Sequence, residues 1–126
     1  MKLFIIVSHY LKLAQTIKEY LLKMLPIKKE NVKIEAISGI NEELGTDPFK
    51  ILEVIQSNPD ISEIFIFPDL GSAVLSAESM IPMIEDKKVF ISKGAIVENT
   101  FAAYVLANAG ADFESVCQAS LAPLQK

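Results

Sequence analysis

The chain has 126 residues, 51% of them apolar and 22% charged, with a net charge of −4. That is enough apolar material for one buried core. Arginine is absent and Lys28 and Lys29 stand beside Glu30, so the basic surface that nucleic acid requires is missing; one cysteine, Cys117, and one histidine, His9, exclude an internal disulfide and a Cys/His zinc site.

Lys2 to Val7 reads as a strand. Leu13, Ile17, Tyr20, Leu21 and Met24 then recur at helical spacing among charged residues, predicting an amphipathic helix that ends at Pro26. Val32 to Ile37 alternates with Lys33 and Glu35, as an edge strand does. A loop from Ser38 to Gly45 leads to Asp47-Pro48, a cap followed by a residue suited to the first helical position. Phe49, Ile51, Leu52 and Ile55 supply the apolar face of that helix. Ile64 to Phe67 is a short apolar strand suited to the middle of a parallel sheet. A third helix begins at once with DLGSAVLSAESMI and should end near Ile81, before Pro82. Lys88 to Ser92 is a fourth strand, GAIVENT a loop, and Thr100 to Ala109 a helix closed by Gly110. Asp112 can cap a last helix to about Leu121.

Such alternation predicts an α/β fold: a three-layer αβα domain over residues 1–126 with a four-stranded parallel sheet in the order 2-1-3-4. No apolar run approaches the ~20 residues of a membrane helix. After Lys2 the apolar run is interrupted at His9, Lys12 and Gln15, too early for a signal peptide, so a soluble cytoplasmic protein is expected. GxxxxGK[ST], a GxGxxG after the first strand, an acidic pair at that place and GxSxG are all absent from the sequence. Their absence argues against a P-loop, a dinucleotide fold, a receiver domain and an α/β-hydrolase.

In an open parallel sheet, ligands bind beyond the carboxyl ends of the strands. The loops there carry Ser8-His9-Tyr10, Gly45-Thr46-Asp47, Asp69-Leu70-Gly71-Ser72, and Gly94 with Glu98, Asn99 and Thr100. The opposite loops (LPIKKEN, SNPDISE, EDKK) carry no comparable set. His9 has two readings: a ring tethered at a strand end, or a nucleophile or base that is neutral at cellular pH. Asp69 has two as well, a helix cap or a carboxylate that fixes the histidine tautomer. Gly71 and Ser72 open a helix whose free N–H groups can bind an anion, or form an ordinary tight turn. Thr46 is a candidate for the same site or a turn residue, and Glu98 is read as a surface charge. Leu11, Leu70, Val74 and Ile96 form either an apolar docking rim or ordinary half-buried packing.

The segments IIVSHYLKLAQTIKEYL, GTDPFKILEVI, DLGSAVLSAE and GAIVENTFAAYVLANAGAD resemble DhaM, the phosphotransferase subunit of bacterial phosphoenolpyruvate (PEP)-dependent dihydroxyacetone (glycerone) kinases. That family is similar in fold to the mannose-type enzyme IIA domains of the sugar phosphotransferase system (PTS). The resemblance covers nearly the whole chain and rests on the combination of strand-end Ser-His, Gly-Thr-Asp and Asp-Leu-Gly-Ser-Ala. It implies a phosphotransferase component without cofactor or metal. Such a subunit takes a phosphoryl group from the histidine phosphocarrier protein, HPr, and passes it to ADP on the subunit DhaL. The ATP formed then phosphorylates dihydroxyacetone held by DhaK. The resemblance makes His9 the phosphorylated nucleophile and Asp69 its orienting carboxylate, and puts Gly71, Ser72, Thr46 and Ser8 around the phosphate. It also implies a homodimer. Tyr10 departs from the small polar residue common after the histidine, no final strand for swapping between subunits is visible, and ending at Lys126 the chain is expected to use separate donors. The nearest alternative is a mannose-class sugar IIA component that passes phosphate to a IIB protein; DLGSA favours DhaM over the G-G-S-P continuation of that class. An alternative of another kind is a regulatory module that uses His9 as a pH-sensitive ligand contact.

Overall fold

The computed structural model describes residues 1–38 and 47–123. Strands β1 (Lys2–Val7), β2 (Val32–Ile37), β3 (Glu63–Pro68) and β4 (Lys88–Ile91) alternate with helices α1 (Leu11–Met24), α2 (Pro48–Gln56) and α3 (Gly71–Met80). Helices α4 (Glu98–Asn108) and α5 (Phe113–Leu121) follow β4. All strands pair in parallel, in the order β2-β1-β3-β4, as the sequence predicts. The loop residues Gly45 and Thr46 lie outside the described residues.

Both central strands are buried on both faces, which is why Leu3 to Val7 and Ile64 to Phe67 read as unbroken apolar runs. Their side chains alternate between two cores. Phe4, Ile6, Phe65 and Phe67 pack against Ala14, Ile17 and Leu21 of α1, Ala103, Tyr104 and Ala107 of α4, and Val116 of α5. On the other face Leu3, Ile5, Val7, Ile64 and Ile66 meet Ile51 and Ile55 of α2 and Ala73 and Ala77 of α3. Each large side chain so buried contributes about 1.5–3 kcal/mol.

The helix ends follow their punctuation. Asp47 Oδ1 accepts from the Phe49 N–H at 3.0 Å, and Asp112 Oδ1 from the Ser115 N–H at 2.9 Å. Pro82 stops α3, and the chain continues through a single tight turn at Ile81–Met83. Gly110 takes φ +86°, with its N–H on the Ala107 carbonyl and the Ala111 N–H on that of Leu106, a Schellman closure.

Two expected helix faces differ from those observed. In α1 the buried stripe is Ala14, Ile17 and Leu21, whereas Leu13, Tyr20 and Met24 are exposed. Small Ala14 lets that side of the helix approach the sheet, and a wider stripe cannot all be buried on one flat surface. In α2, Ile51 and Ile55 are buried and Phe49 is exposed at the first turn.

Two ladder bonds run past the strand ends and set up the carboxyl edge. The Ser8 N–H donates to the Ile37 carbonyl at 3.2 Å, and the Asp69 N–H to that of Val7 at 3.0 Å. The β4–α4 connection is held as tightly. Ser92 Oγ donates to the Ser120 carbonyl at 2.7 Å, and Asn99 Nδ2 reaches the carbonyls of Ala119 and Ala122 at 3.2 and 2.8 Å. Gly94 is pressed into this knot: a Cβ there would lie 2.6 Å from both Asn99 Oδ1 and the Ser120 carbonyl oxygen. Gly94→Ala is therefore expected to destabilise the fold by about 1–3 kcal/mol, the usual range for overpacking. Urea unfolding checks this, and an unchanged midpoint would mean that the loop gives way freely.

Candidate functional site

His9 follows the buried end of β1, and Asp69 the end of β3, the strand hydrogen-bonded beside it. Val7 and Pro68 are register partners, so both residues leave the sheet at the same height. Three bonds then join the two strand ends. The His9 backbone N–H donates to Asp69 Oδ2 at 3.0 Å, Ser8 Oγ donates to the same oxygen at 2.9 Å, and His9 Nδ1 lies 3.0 Å from Asp69 Oδ1. On the other side of the ring, Nε2 is 2.6 Å from Ser72 Oγ. The imidazole is thus held at both nitrogens while remaining partly open, with 24% of its side-chain surface exposed against 10% for Asp69.

The contacts at the two ring nitrogens point to one tautomer. Burial raises the Asp69 pKa, but the backbone and ring hydrogen bonds from His9, the Ser8 hydroxyl and the His9 charge together hold it below the ordinary carboxylate value. An ionised carboxylate only accepts, so Nδ1 carries a proton and, in the neutral ring, Nε2 carries the lone pair. Ser72 Oγ then donates to Nε2.

Gly71 and Ser72 are the first residues of α3, and both are exposed. The Ala73 and Val74 N–H groups bond to the Leu70 carbonyl. Those of Gly71 and Ser72 have no acceptor among the described residues and point out of the helix start, where positive potential collects. Open space surrounds Gly71, with no atom within 4 Å of where a Cβ would stand. A groove runs from here past Asp69 and Val74 to Lys93 and Gly94. A larger recess between Ile55, Pro59, Met83 and Lys87 opens at the opposite edge of the sheet, away from His9.

The remaining candidates divide by position. Ser8 is fully buried, its hydroxyl committed to Asp69 and to the Tyr10 N–H at 3.0 Å. Of the apolar rim, Leu70 is exposed at 59%, while Leu11, Val74 and Ile96 are half-buried; Tyr10, the residue after His9, is also half exposed. Glu98 opens α4. Thr46 lies outside the described residues. The clamp of Ser92, Asn99 and Ser120 behind the groove went unread in the sequence, because nothing local announces that α5 returns to this edge. Burial first, then Glu114 and Glu63, push the Cys117 thiol up to about 11, so it stays protonated. Among the described residues no cluster of three or more potential ligands could hold a metal ion, and no helix is long and apolar enough to cross a membrane.

A family model described as EIIA-man, PTS system fructose IIA component, matches residues 3–117. The phosphoryl donor subunit DhaM of the PEP-dependent dihydroxyacetone kinase of Pantoea ananatis is 33% identical over 123 residues, covering 93% of this chain and 26% of that protein. The subunit of the same name from Escherichia coli is 35% identical over 118 residues, covering 89% and 25%. The chain thus spans about a quarter of the length of these relatives. The phosphotransferase subunit DhaM of the PTS-dependent dihydroxyacetone kinase of Lactococcus lactis matches over most of its own length: 30% identity, covering 89% of this chain and 87% of that protein. A crystal structure of a protein of unknown function superposes with a TM-score of 0.87 at 29% identity, covering 99% and 96% of the two chains. The component EIIA from Streptococcus agalactiae, 17% identical, shares the fold with a TM-score of 0.69 over 95% of this chain and 89% of its own.

The lowered Asp69 pKa has a sign that can be tested. A carboxyl group whose folded-state pKa is depressed adds stability above its unfolded pKa, about 3.9, and loses it as pH falls through the folded value. The stability gap between wild type and Asp69→Asn is therefore expected to be largest near neutrality and to shrink below about pH 4. Urea midpoints taken across that range check this. A gap that stays constant would mean that Asp69 is not held as the anion.

Proposed function

The chain belongs to the EIIA-man family of phosphotransferase-system components, and on that premise we propose that it carries a phosphoryl group on His9 in a relay serving a dihydroxyacetone kinase. One observation carries this reading: the only histidine is clamped at Nδ1 by a carboxylate and faces a helix start with Nε2. Similarity to DhaM subunits supports the branch of the phosphotransferase system. In this reading residues 1–126 form one mannose-type IIA domain that works in the cytoplasm as a homodimer.

The proposed chemistry follows from the tautomer. The Nε2 lone pair attacks phosphorus on the phosphohistidine of HPr. A new N–P bond forms as the old one breaks, and the old bond's electron pair leaves with the donor's ring. The Nδ1 proton stays where it is, so the loaded ring is positive and the Asp69 carboxylate offsets that charge at 3.0 Å. Ser72 Oγ gives up Nε2 and donates to a phosphoryl oxygen, and the N–H groups of Gly71 and Ser72 supply further donors. Thr46, in the Gly-Thr-Asp motif, is proposed as a further phosphate contact on the strength of the family resemblance alone. In the onward step a terminal phosphate oxygen of ADP on DhaL attacks phosphorus, and the electron pair of the N–P bond returns to Nε2. The ATP formed serves dihydroxyacetone on DhaK. Because donor and acceptor are both carried on proteins, an exposed edge rimmed by Tyr10 and Leu70 suits the task better than a deep pocket. Phosphoryl transfer asks mainly for positioning and charge stabilisation, and this edge offers both.

Incubation with PEP, enzyme I and HPr should place an acid-labile phosphate on wild type and none on His9→Ala. Absence of label on wild type would sink the proposal. In the same assay Asp69→Ala should slow transfer by about 10²–10⁴-fold with the fold intact. Adding DhaL with ADP, DhaK and dihydroxyacetone tests the branch. Transfer to a IIB histidine with none to DhaL would instead assign the chain to the sugar-transporting class.

A further inference from the structure

We propose that Ser8 is a positioning residue: its buried hydroxyl holds the Asp69 carboxylate in the plane that fixes the Nδ1–H tautomer of His9. The inference rests on His9 as the phosphoryl carrier and deepens that reading.

Ser8 is the first residue past β1 and has no exposed surface. A buried hydroxyl is costly unless it is hydrogen-bonded, and this one bonds twice. Its single proton goes to Asp69 Oδ2 at 2.9 Å, and its oxygen accepts the Tyr10 N–H at 3.0 Å. Oδ2 therefore has two donors, Ser8 Oγ and the His9 backbone N–H, both from the end of β1. With that oxygen fixed twice, rotation of the carboxylate is blocked and Oδ1 stays aimed at Nδ1. Without the Ser8 proton, Oδ2 keeps one donor, and the Tyr10 N–H at the start of α1 loses its acceptor.

Direct contact of Ser8 with a phosphoryl group fits the geometry poorly. The group that meets Nε2 is Ser72, which is exposed; Ser8 is buried on the Asp69 side of the ring. Ser8 reaches the reacting nitrogen only through Asp69 and His9. Nor is the hydroxyl needed to register the strand, because the Ser8 backbone N–H bonds to the Ile37 carbonyl whatever the side chain. Ser8→Ala thus removes the Asp69 tether while leaving the sheet its ladder.

The test combines two readouts on the full chain. Nitrogen-15 NMR of labelled histidine reports the tautomer of His9, and single-turnover transfer from phosphorylated HPr reports the rate. Wild type should be predominantly Nδ1–H. Ser8→Ala should gain Nε2–H population and lose about 10–100-fold in rate, by analogy with the loss of a supporting hydrogen bond behind a metal-ligating histidine. Ser8→Thr, which keeps a hydroxyl, should restore both. If Ser8→Ala does not fold, Ser8→Cys, near-isosteric with a weak donor, carries the same comparison. A folded variant with wild-type tautomer and wild-type rate overturns the proposal; so does a slow variant whose tautomer is unchanged. Failure of the carrier reading is separate: wild type would then take no phosphate, while the tautomer measurement would still decide the role of Ser8.

Discussion

Everything at the candidate site depends on one backbone contact, the parallel pairing of β1 with β3 in the register that sets Val7 beside Pro68. The two strands are 61 residues apart in the chain at Ser8 and Asp69, and only their adjacency brings imidazole and carboxylate together. A slip by one residue would turn Asp69 to the other face of the sheet and leave His9 without its anchor. The register is enforced from below. Phe4, Phe65 and Phe67 pack as tilted pairs in one core, with ring centroids 5.5 and 4.9 Å from Phe4, and Leu3, Ile5 and Ile64 fill the other. A shift would expose a row of these at about 1.5–3 kcal/mol each. The apolar strands therefore aim the polar residues that follow them.

The same logic explains what could be read from the sequence. Strand and helix order, the edge place of β2 and the central place of β1 and β3 follow from patterns of apolar residues, and burial on two faces writes such patterns plainly. Asp47, Pro48, Pro82, Gly110 and Asp112 act locally through their own φ angles and hydrogen bonds, so each helix end they mark is where they put it. His9 and Asp69 could be placed as neighbours because the expected strand order already sets their strands side by side.

The rest was hidden because it depends on direction in space. Leu13, Tyr20 and Met24 fit the apolar period of α1 as well as Ile17 and Leu21 do, and only the close approach allowed by Ala14 decides which side meets the sheet. Ser8 stands next to a histidine in the sequence, but nothing local says that its hydroxyl turns inward to Asp69. The knot of Ser92, Gly94, Asn99 and Ser120 joins residues up to 28 apart, and its partners on α5 are mostly backbone carbonyls, which carry no side-chain signal at all.

The helix starts give a last physical contrast. Asp47 and Asp112 cap α2 and α5 and take up an N–H, and α4 carries Glu98 in its first turn. The two helices that start within two residues of His9 and of Asp69 do neither. Among the described residues, α1 after Tyr10 and α3 after Leu70 have no side-chain cap and no acidic residue in the first turn. A missing cap costs about 1 kcal/mol of stability, and the chain uses better residues elsewhere. At this edge, however, a capping carboxylate would occupy the N–H groups and repel an incoming anion. The one acid that is present, Asp69, sits on the Nδ1 side of the ring, where it is tied by three hydrogen bonds. Negative charge is thus kept to the side that needs the proton, and the Nε2 side is left to hydroxyl and amide donors. That division is what a histidine requires if it is to accept a phosphoryl group and release it again.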